Sequence, residues 1–108
     1  MENHTLEKKL EEYLEELKTK KKEIENQIAK EEVEQKFLIN KLDIVADASE
    51  RVNSSLRENF CQEYLEPLQT EVDEKNLACR DNKTKYRAEI HQYEMLIAAT
   101  EQKLFSLK

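Results

Sequence analysis

The side chains that could do chemistry are few and widely spaced in this sequence. The two histidines, His4 and His91, lie near opposite ends of the chain, and neither joins Cys61 or Cys79 in the short spacing of a metal site. The chain has no glycine, so it lacks a glycine-rich phosphate loop. Carboxylates are abundant, but on a solvated helix no pocket would shift their pKa values. We therefore expect no enzymatic activity, no metal site and no cofactor.

Lysines form the densest run of one charge. The run Lys18-Thr19-Lys20-Lys21-Lys22 follows Lys8-Lys9, and together these segments supply six candidates for contact with an acidic surface: Lys8, Lys9, Lys18, Lys20, Lys21 and Lys22. The alternative is a solvated face in which the lysines pair with neighbouring glutamates. The net charge of -6 argues against general binding to nucleic acid.

The elements that carry these residues must be helical. Charged residues make up 39% of the chain, and Pro67 is the single proline, so the usual turn residues are nearly absent. No long apolar stretch follows Met1 or occurs elsewhere, so we expect neither a signal peptide nor a membrane span. An intracellular protein with reduced thiols is the expectation, in which Cys79 either fills the seam as a small hydrophobe or cross-links to its mate on oxidation.

Apolar residues recur at alternating steps of four and three through the first half. Such a series is typical of a coiled-coil seam. The positions are Leu10, Leu14, Leu17, Lys21, Ile24, Ile28, Glu31, Gln35, Leu38, Leu42, Val45, Ser49, Val52 and Leu56.

A second seam with a shifted register follows in the C-terminal half. Its positions are Leu65, Val72, Cys79, Tyr86, Tyr93, Thr100 and Leu107, with Ile90, Ile97 and Leu104 as partners and with Gln69, Asn76 and Lys83 as polar interruptions. Pro67 predicts a kink near residues 62–67. We therefore expect one elongated unit, 1–108, with a first-register segment at 1–56, a register shift at 57–67 and a second-register segment at 68–108.

The predicted fold is all-α: a long, nearly continuous helix that forms a coiled coil, for which we favour a parallel dimer. The competing arrangement is a helical hairpin with Asn53-Ser54-Ser55 as its loop. The seam does not decide strand polarity or oligomer size, because Lys21 and Gln35 favour a dimer while the Leu and Ile pattern favours larger bundles.

Apolar residues near both ends could support end-to-end assembly. These candidates are Leu6, Leu10, Ile97, Leu104, Phe105 and Leu107, which either overlap between successive copies or simply finish the seam. Further apolar residues fall off the seam and indicate either a third or fourth helix or scattered surface hydrophobes: Phe37, Ile39, Phe60, Leu68, Leu77, Met95 and Leu96.

The first half resembles the small coiled-coil family of the Sjögren's syndrome nuclear autoantigen and the deflagellation-inducible protein. The match runs without a gap over residues 10–56. It rests on Leu10, Leu14, Glu15-Glu16-Leu17, Lys20-Lys21, Gln27-Ile28, Glu31-Glu32, Glu34, Leu38, Arg51-Val52-Asn53 and Leu56. Pro67 departs from the family, and beyond Leu56 the likeness fades.

The resemblance implies a structural protein that assembles head to tail into filaments and contacts tubulin in microtubules. The six lysines named above are the sequence's own candidates for that contact. It implies a cytoskeletal location at the centrosome, the centriole or the basal body of a cilium. The alternative function is a discrete coiled-coil adaptor, or a helical hairpin, that binds a partner helix without forming filaments.

Overall fold

The fold is all-α, as the sequence predicts. A computed structural model describes residues 2–108, with side chains from His4 onward, and this part of the chain contains no strand. Helix α1 spans Glu2–Arg51, α2 spans Arg57–Phe60, a π-helical turn spans Cys61–Leu65, and α3 spans Glu66–Ser106. The chain divides into two compact units: unit 1 contains the residues up to Ile28 together with Lys83–Lys108, and unit 2 contains Ala29–Asn82.

Helix α1 is unbroken for 50 residues. Neither glycine nor proline occurs within it, so nothing in its backbone chemistry interrupts the hydrogen-bond ladder. Its heptad seam places an apolar side chain on one face at nearly every turn. Packing of that face stabilises the helix, because the helical propensity of a mostly charged segment contributes little by itself.

The chain turns at residues 52–56. The backbone N–H of Leu56 donates to the carbonyl of Asn53 at 2.8 Å, which closes a tight turn after the helix ends. Asn and Ser favour turns because their short polar side chains compete for backbone hydrogen bonds. No described residue has a positive φ, so this turn requires no left-handed backbone and therefore no glycine.

The side chain of Arg57 caps the C-terminal end of α1 from across the turn. Its Nε donates to the carbonyl of Ser49 at 3.1 Å, and a terminal guanidinium nitrogen donates to that of Glu50 at 3.3 Å. The last carbonyls of a helix have no partner within the helix and carry partial negative charge, so a cation is favourable there. Arg57 thereby ties the start of α2 to the end of α1.

Residues 57–106 form one helical stretch that contains a widened turn. At the π-helical turn the N–H of Glu66 donates to the carbonyl of Cys61, five residues back rather than four. Pro67, which has no N–H to donate, lies two residues after this widened turn, inside the same helical stretch. The region in which the sequence predicts a register shift thus contains α2, the π-helical turn and Pro67.

Unit 2 is an antiparallel helical hairpin. Side chains of α1 and α3 hydrogen-bond across it at pairs that are far apart in sequence, such as Gln35 with Asn76 and Glu34 with Lys75. The chain therefore takes the alternative arrangement with Asn53-Ser54-Ser55 in its loop. The sequence favoured a nearly continuous helix, but α1 ends at Arg51. The Asn and Ser residues close the turn, and Arg57 caps the end of α1.

Candidate helix-binding surface

Polar side chains of α1 and α3, at and beside the seam positions, are paired with each other inside unit 2. Gln35 Nε2 donates to Asn76 Oδ1 at 2.7 Å, Lys75 Nζ lies 3.0 Å from Glu34 Oε2, and Asn82 Nδ2 lies 3.4 Å from Glu31 Oε1. Each polar group thus meets a complementary one rather than an apolar side chain. Pairs of this kind select one register, because a shift would leave them facing aliphatic neighbours.

The same matching occurs in unit 1. Lys21, a polar seam position, forms an ion pair with Glu94 of α3 at 3.3 Å and a longer one with Glu25 at 3.8 Å. Ile97 lies nearby, since it lines a shallow groove together with Lys18, Lys21 and Lys22. Within this unit, residues of α1 and α3 therefore also contact each other directly.

The heptad positions of α1 form its inner face. From Leu10 to Val52 every seam position is buried or half-buried, with Leu17 and Ser49 the buried ones. Leu56 differs: it is 58% exposed because it lies in the turn rather than in a helix. The remaining apolar seam positions are all half-buried: Leu10, Leu14, Ile24, Ile28, Leu38, Leu42 and Val45 in α1, and Val52 directly after it.

The second seam forms the inner face of α3. Its apolar and aromatic members are buried or half-buried, among them Leu65 in the π-helical turn and Val72, Cys79, Tyr86, Ile90, Tyr93 and Ile97 in α3. Leu68, which the heptad count places off the seam, is also buried, because it lies one turn before Val72 on the same side of the helix. The seam positions of α1 and α3, which we call the inner seam, therefore pack within one chain.

The six lysine candidates do not form one patch. Lys18 and Lys22 are exposed on one side of α1, and at 3.6 residues per turn Lys9 and Lys20 lie on the opposite side. Lys20 forms an ion pair with Glu16 at 3.5 Å. Lys8 lines a separate shallow groove with His4, Glu7 and Glu11. Within the run from Lys18 to Lys22, only Lys18 and Lys22 are both exposed and on the same face of α1.

The six end-to-end candidates all lie in unit 1. Leu104 is buried, and Leu10, Ile97 and Leu107 are half-buried, whereas Leu6 and Phe105 are exposed. Residues from both termini therefore belong to one compact unit. Only Leu6 and Phe105 offer substantial apolar area for contact with another molecule.

Metal-ligating side chains do not cluster in the described part of the chain. Among residues 4–108 no group of three or more His, Cys, Asp or Glu side chains is positioned to hold a metal ion. Cys79 is buried and Cys61 half-buried, both as free thiols. For the helices as described, no segment is long and apolar enough to cross a membrane.

Contacts between the two helices of the hairpin change the pKa of Lys75. The hydrogen bond to Glu34 raises the pKa of the Lys75 ammonium above its usual value, while desolvation opposes this change. The negative charges of Glu34 and Glu31 act in the same direction as the hydrogen bond. Protonated Lys75 therefore stabilises the packed hairpin more than it stabilises the unfolded chain.

A second apolar face of α1 remains uncovered. Val33, Phe37 and Ile44 are 67%, 64% and 68% exposed, and we name these three residues the outer stripe. They fall within about 40° of one another around the helix, on the side opposite the inner seam. No other set of exposed large apolar residues in the described chain forms such a row within one unit.

The sequence offered only part of the signal for the outer stripe. Phe37 stands out as an off-seam apolar residue, but Val33 and Ile44 become notable only once the structure shows that the inner face of α1 is packed and these two residues are exposed. With that face known, the steps from Val33 to Phe37, Asn40 and Ile44 are four, three and four, the spacing of a second seam. Such a row on the outside of a hairpin is typical of a surface that binds another helix.

Comparison of the chain with protein-family models, with curated proteins and with solved structures gives no match.

Proposed function

We propose that this chain is a non-enzymatic structural adaptor, a helical hairpin that binds a partner helix along the outer stripe of α1. One observation carries the proposal: the inner seam is filled within the chain, while Val33, Phe37 and Ile44 remain exposed in a row on the opposite face. A monomeric chain gains nothing from an apolar row in water. Burial of that row by a partner would supply the free energy of association.

The spacing of the row favours a helical partner. Steps of four, three and four place side chains as knobs for the holes of a facing helix, as in coiled coils. An extended peptide would instead need a sheet edge to pair with. The described residues contain no strand and thus no such edge. An amphipathic helix that lies along α1 is the occupant that this surface fits.

The hairpin supports the adaptor over a head-to-tail filament. A filament of single continuous helices requires each seam to be shared between copies. Here Lys21 meets Glu94, Glu31 meets Asn82 and Gln35 meets Asn76 within one chain. These seam contacts are made within one chain, so a filament that shares the seam between copies would have to break them.

Selection of amphipathic helical peptides from a displayed library against the full chain tests the proposal. We expect peptides that bind the wild type and lose about tenfold or more of their affinity for Phe37→Glu, because a buried aromatic contact is replaced by a charge. Leu77→Glu is the matched control, since Leu77 is an exposed apolar residue on α3 of the same unit. Peptides that bind both variants as well as wild type, or no bound peptide at all, would refute the proposal.

A second candidate function is contact with microtubules, as the resemblance implies, with a location at the centrosome, centriole or basal body. The observation that favours it is the exposure of Lys18 and Lys22 on a common face. Co-sedimentation of Lys18→Glu/Lys22→Glu with microtubules is expected to fall about tenfold at low salt, since each lysine adds a modest, screened attraction. Lys9→Glu/Lys20→Glu changes the net charge equally on the opposite side. Equal loss in both variants would remove the patch as a specific site.

A further inference from the structure

We propose that the outer stripe binds the outer stripe of a second copy of this chain, with the two α1 helices antiparallel about a two-fold axis. The inference rests on the proposed function, since both use Val33, Phe37 and Ile44, and it names the partner helix as α1 itself. The axis passes between Phe37 and Asn40. All residues involved belong to unit 2.

The apolar register of the stripe is self-complementary. With the axis between Phe37 and Asn40, Val33 faces Ile44 of the second copy, and Phe37 faces Asn40. Asn40 tolerates this neighbour because its Nδ2 already donates to the carbonyl of Lys36 at 2.8 Å. The large Phe37 ring then covers the short Asn40 side chain on both sides of the axis. A two-fold interface of this kind closes, so it gives a dimer rather than a fibre.

The charges that flank the stripe also complement each other in the antiparallel arrangement. Lys36 lies beside the N-terminal half of the stripe and Asp43 beside its C-terminal half, so each faces the other across the interface. Lys30 faces Asp47 in the same way, just beyond the apolar positions. Both lysines and both aspartates are exposed in the hairpin. Each contact occurs twice, because the two-fold axis repeats it.

On the other flank, Glu34 faces Lys41 of the second copy. Glu34 already holds Lys75 of its own α3, and its side chain remains 51% exposed. It can therefore accept a second cation while it keeps the first. Three kinds of opposite-charge contact thus surround the apolar row, and none of them requires a side chain to leave its observed partner.

A parallel arrangement of the same two helices is disfavoured by the same residues. In a parallel pair Lys36 would face Lys41, Lys30 would face its own copy and Asp47 would face its own copy. Like charges at these positions repel, and residues at and beside the seam set orientation in coiled coils. The charge pattern therefore selects antiparallel pairing of α1 with α1.

Sedimentation equilibrium of the full chain tests the proposal. We expect a monomer–dimer equilibrium between about 1 μM and 1 mM, the range for a small interface. Phe37→Glu should raise the dimer Kd about 100-fold or more, because two copies of the charge would enter the apolar row. Leu77→Glu should leave the dimer Kd unchanged. A circular dichroism spectrum that matches wild type would show that each variant keeps its helices.

Charge exchange then tests the antiparallel geometry. Lys36→Asp or Asp43→Lys alone should weaken the dimer about tenfold, since attraction is replaced by repulsion twice. The double variant Lys36→Asp/Asp43→Lys should restore the dimer, because the two charges face each other again. The proposed pairing would be overturned if the double variant does not recover the wild-type dimer Kd, or if the single variants leave that Kd unchanged.

The outcomes separate this inference from the adaptor function. One outcome is a chain that stays monomeric at 1 mM and still binds helical peptides whose affinity falls in the Phe37→Glu variant. That result would overturn self-pairing and leave the adaptor function in place. A monomer that also captures no peptide would contradict both.

Discussion

Lys75 and Glu34 show how a single polar contact links helix pairing to pH. Their 3.0 Å contact joins α3 to α1 in unit 2, at a position where Lys75 is half-buried. A lysine whose pKa is raised in the folded state holds its proton more tightly there than in the unfolded chain. The contact therefore stabilises the fold while lysine is protonated in both states.

Alkaline titration is the first prediction. The stabilisation from Lys75 is fully present below the unfolded lysine pKa of about 10.4, and it is lost as pH rises through the higher folded value. Thermal unfolding of the wild type should therefore lose stability above that pH. Glu34→Gln should be less stable than wild type at neutral pH and should lose less on titration.

The control for this titration is a surface pair within one helix. Glu16→Gln removes the exposed partner of Lys20, and exposed pairs of this kind contribute little to stability. Its alkaline profile should follow that of wild type. Identical profiles for wild type and Glu34→Gln would contradict the role given to Lys75.

The contacts between side chains of α1 and α3 could not be predicted from the sequence. Heptad counting finds the inner positions of α1, such as Leu17 and Leu38, because that information is local. It cannot find that Glu31 meets Asn82 or that Lys21 meets Glu94, since these partners depend on how two distant segments align. The outer stripe has a similar origin: heptad counting places Val33 and Ile44 off the seam, but their exposure depends on which helices pack against α1.

At the scale of elements, the decisive feature is the end of α1. The sequence predicts the helices and their seams, because periodicity and composition act over neighbouring turns. The turn is harder to predict, because none of its residues has a positive φ and no glycine marks it. Asn53-Ser54-Ser55 gives a weak local signal. Arg57 adds a second one that acts only when the chain has already turned.

Replacement of Arg57 is the second prediction. Arg57→Gln removes two charge-assisted hydrogen bonds to the last carbonyls of α1, and should reduce the free energy of unfolding by about 1–2 kcal/mol. Amide hydrogen exchange should quicken at residues 49–57. Urea unfolding, followed by circular dichroism, measures the change in stability.

Arg51→Gln provides the comparison for the cap. Arg51 pairs with Asp47 on the surface of α1, where its side chain is 78% exposed, so its loss should cost no more than about 0.5 kcal/mol. If Arg51→Gln destabilises the chain as much as Arg57→Gln does, the cap has no special role.

For the whole molecule, the same inner contacts can be made in two ways. α1 can pair with α3 of its own chain, as the structure shows, or with α3 of another chain after the turn opens. The second arrangement is a domain swap, and it keeps pairs such as Gln35 with Asn76. The turn at residues 52–56 therefore decides between folding back and exchange, while the inner seam is indifferent to the choice.

Alanine substitution in the turn is the third prediction. Asn53→Ala/Ser54→Ala/Ser55→Ala raises helical propensity by about 0.5 kcal/mol per residue and removes the side chains that favour a turn. A helix that continues from α1 into α2 would then compete with the hairpin, and exchanged dimers should accumulate. Light scattering after size-exclusion chromatography should show the mass shift, with helix content equal to or above that of wild type.

The turn variant and its control must both carry a second change that prevents pairing of the outer stripe. Phe37→Glu supplies that change, so any dimer that forms in this background arises from exchange through the turn. Glu74→Ala/Lys85→Ala/Gln92→Ala, at exposed positions of α3, is the matched control and should remain monomeric. If the turn variant is also monomeric in this background, at concentrations where wild type dimerises, then Asn53, Ser54 and Ser55 are not what holds the chain folded back. The inner pairs and the Arg57 cap would then be sufficient to close the hairpin without them.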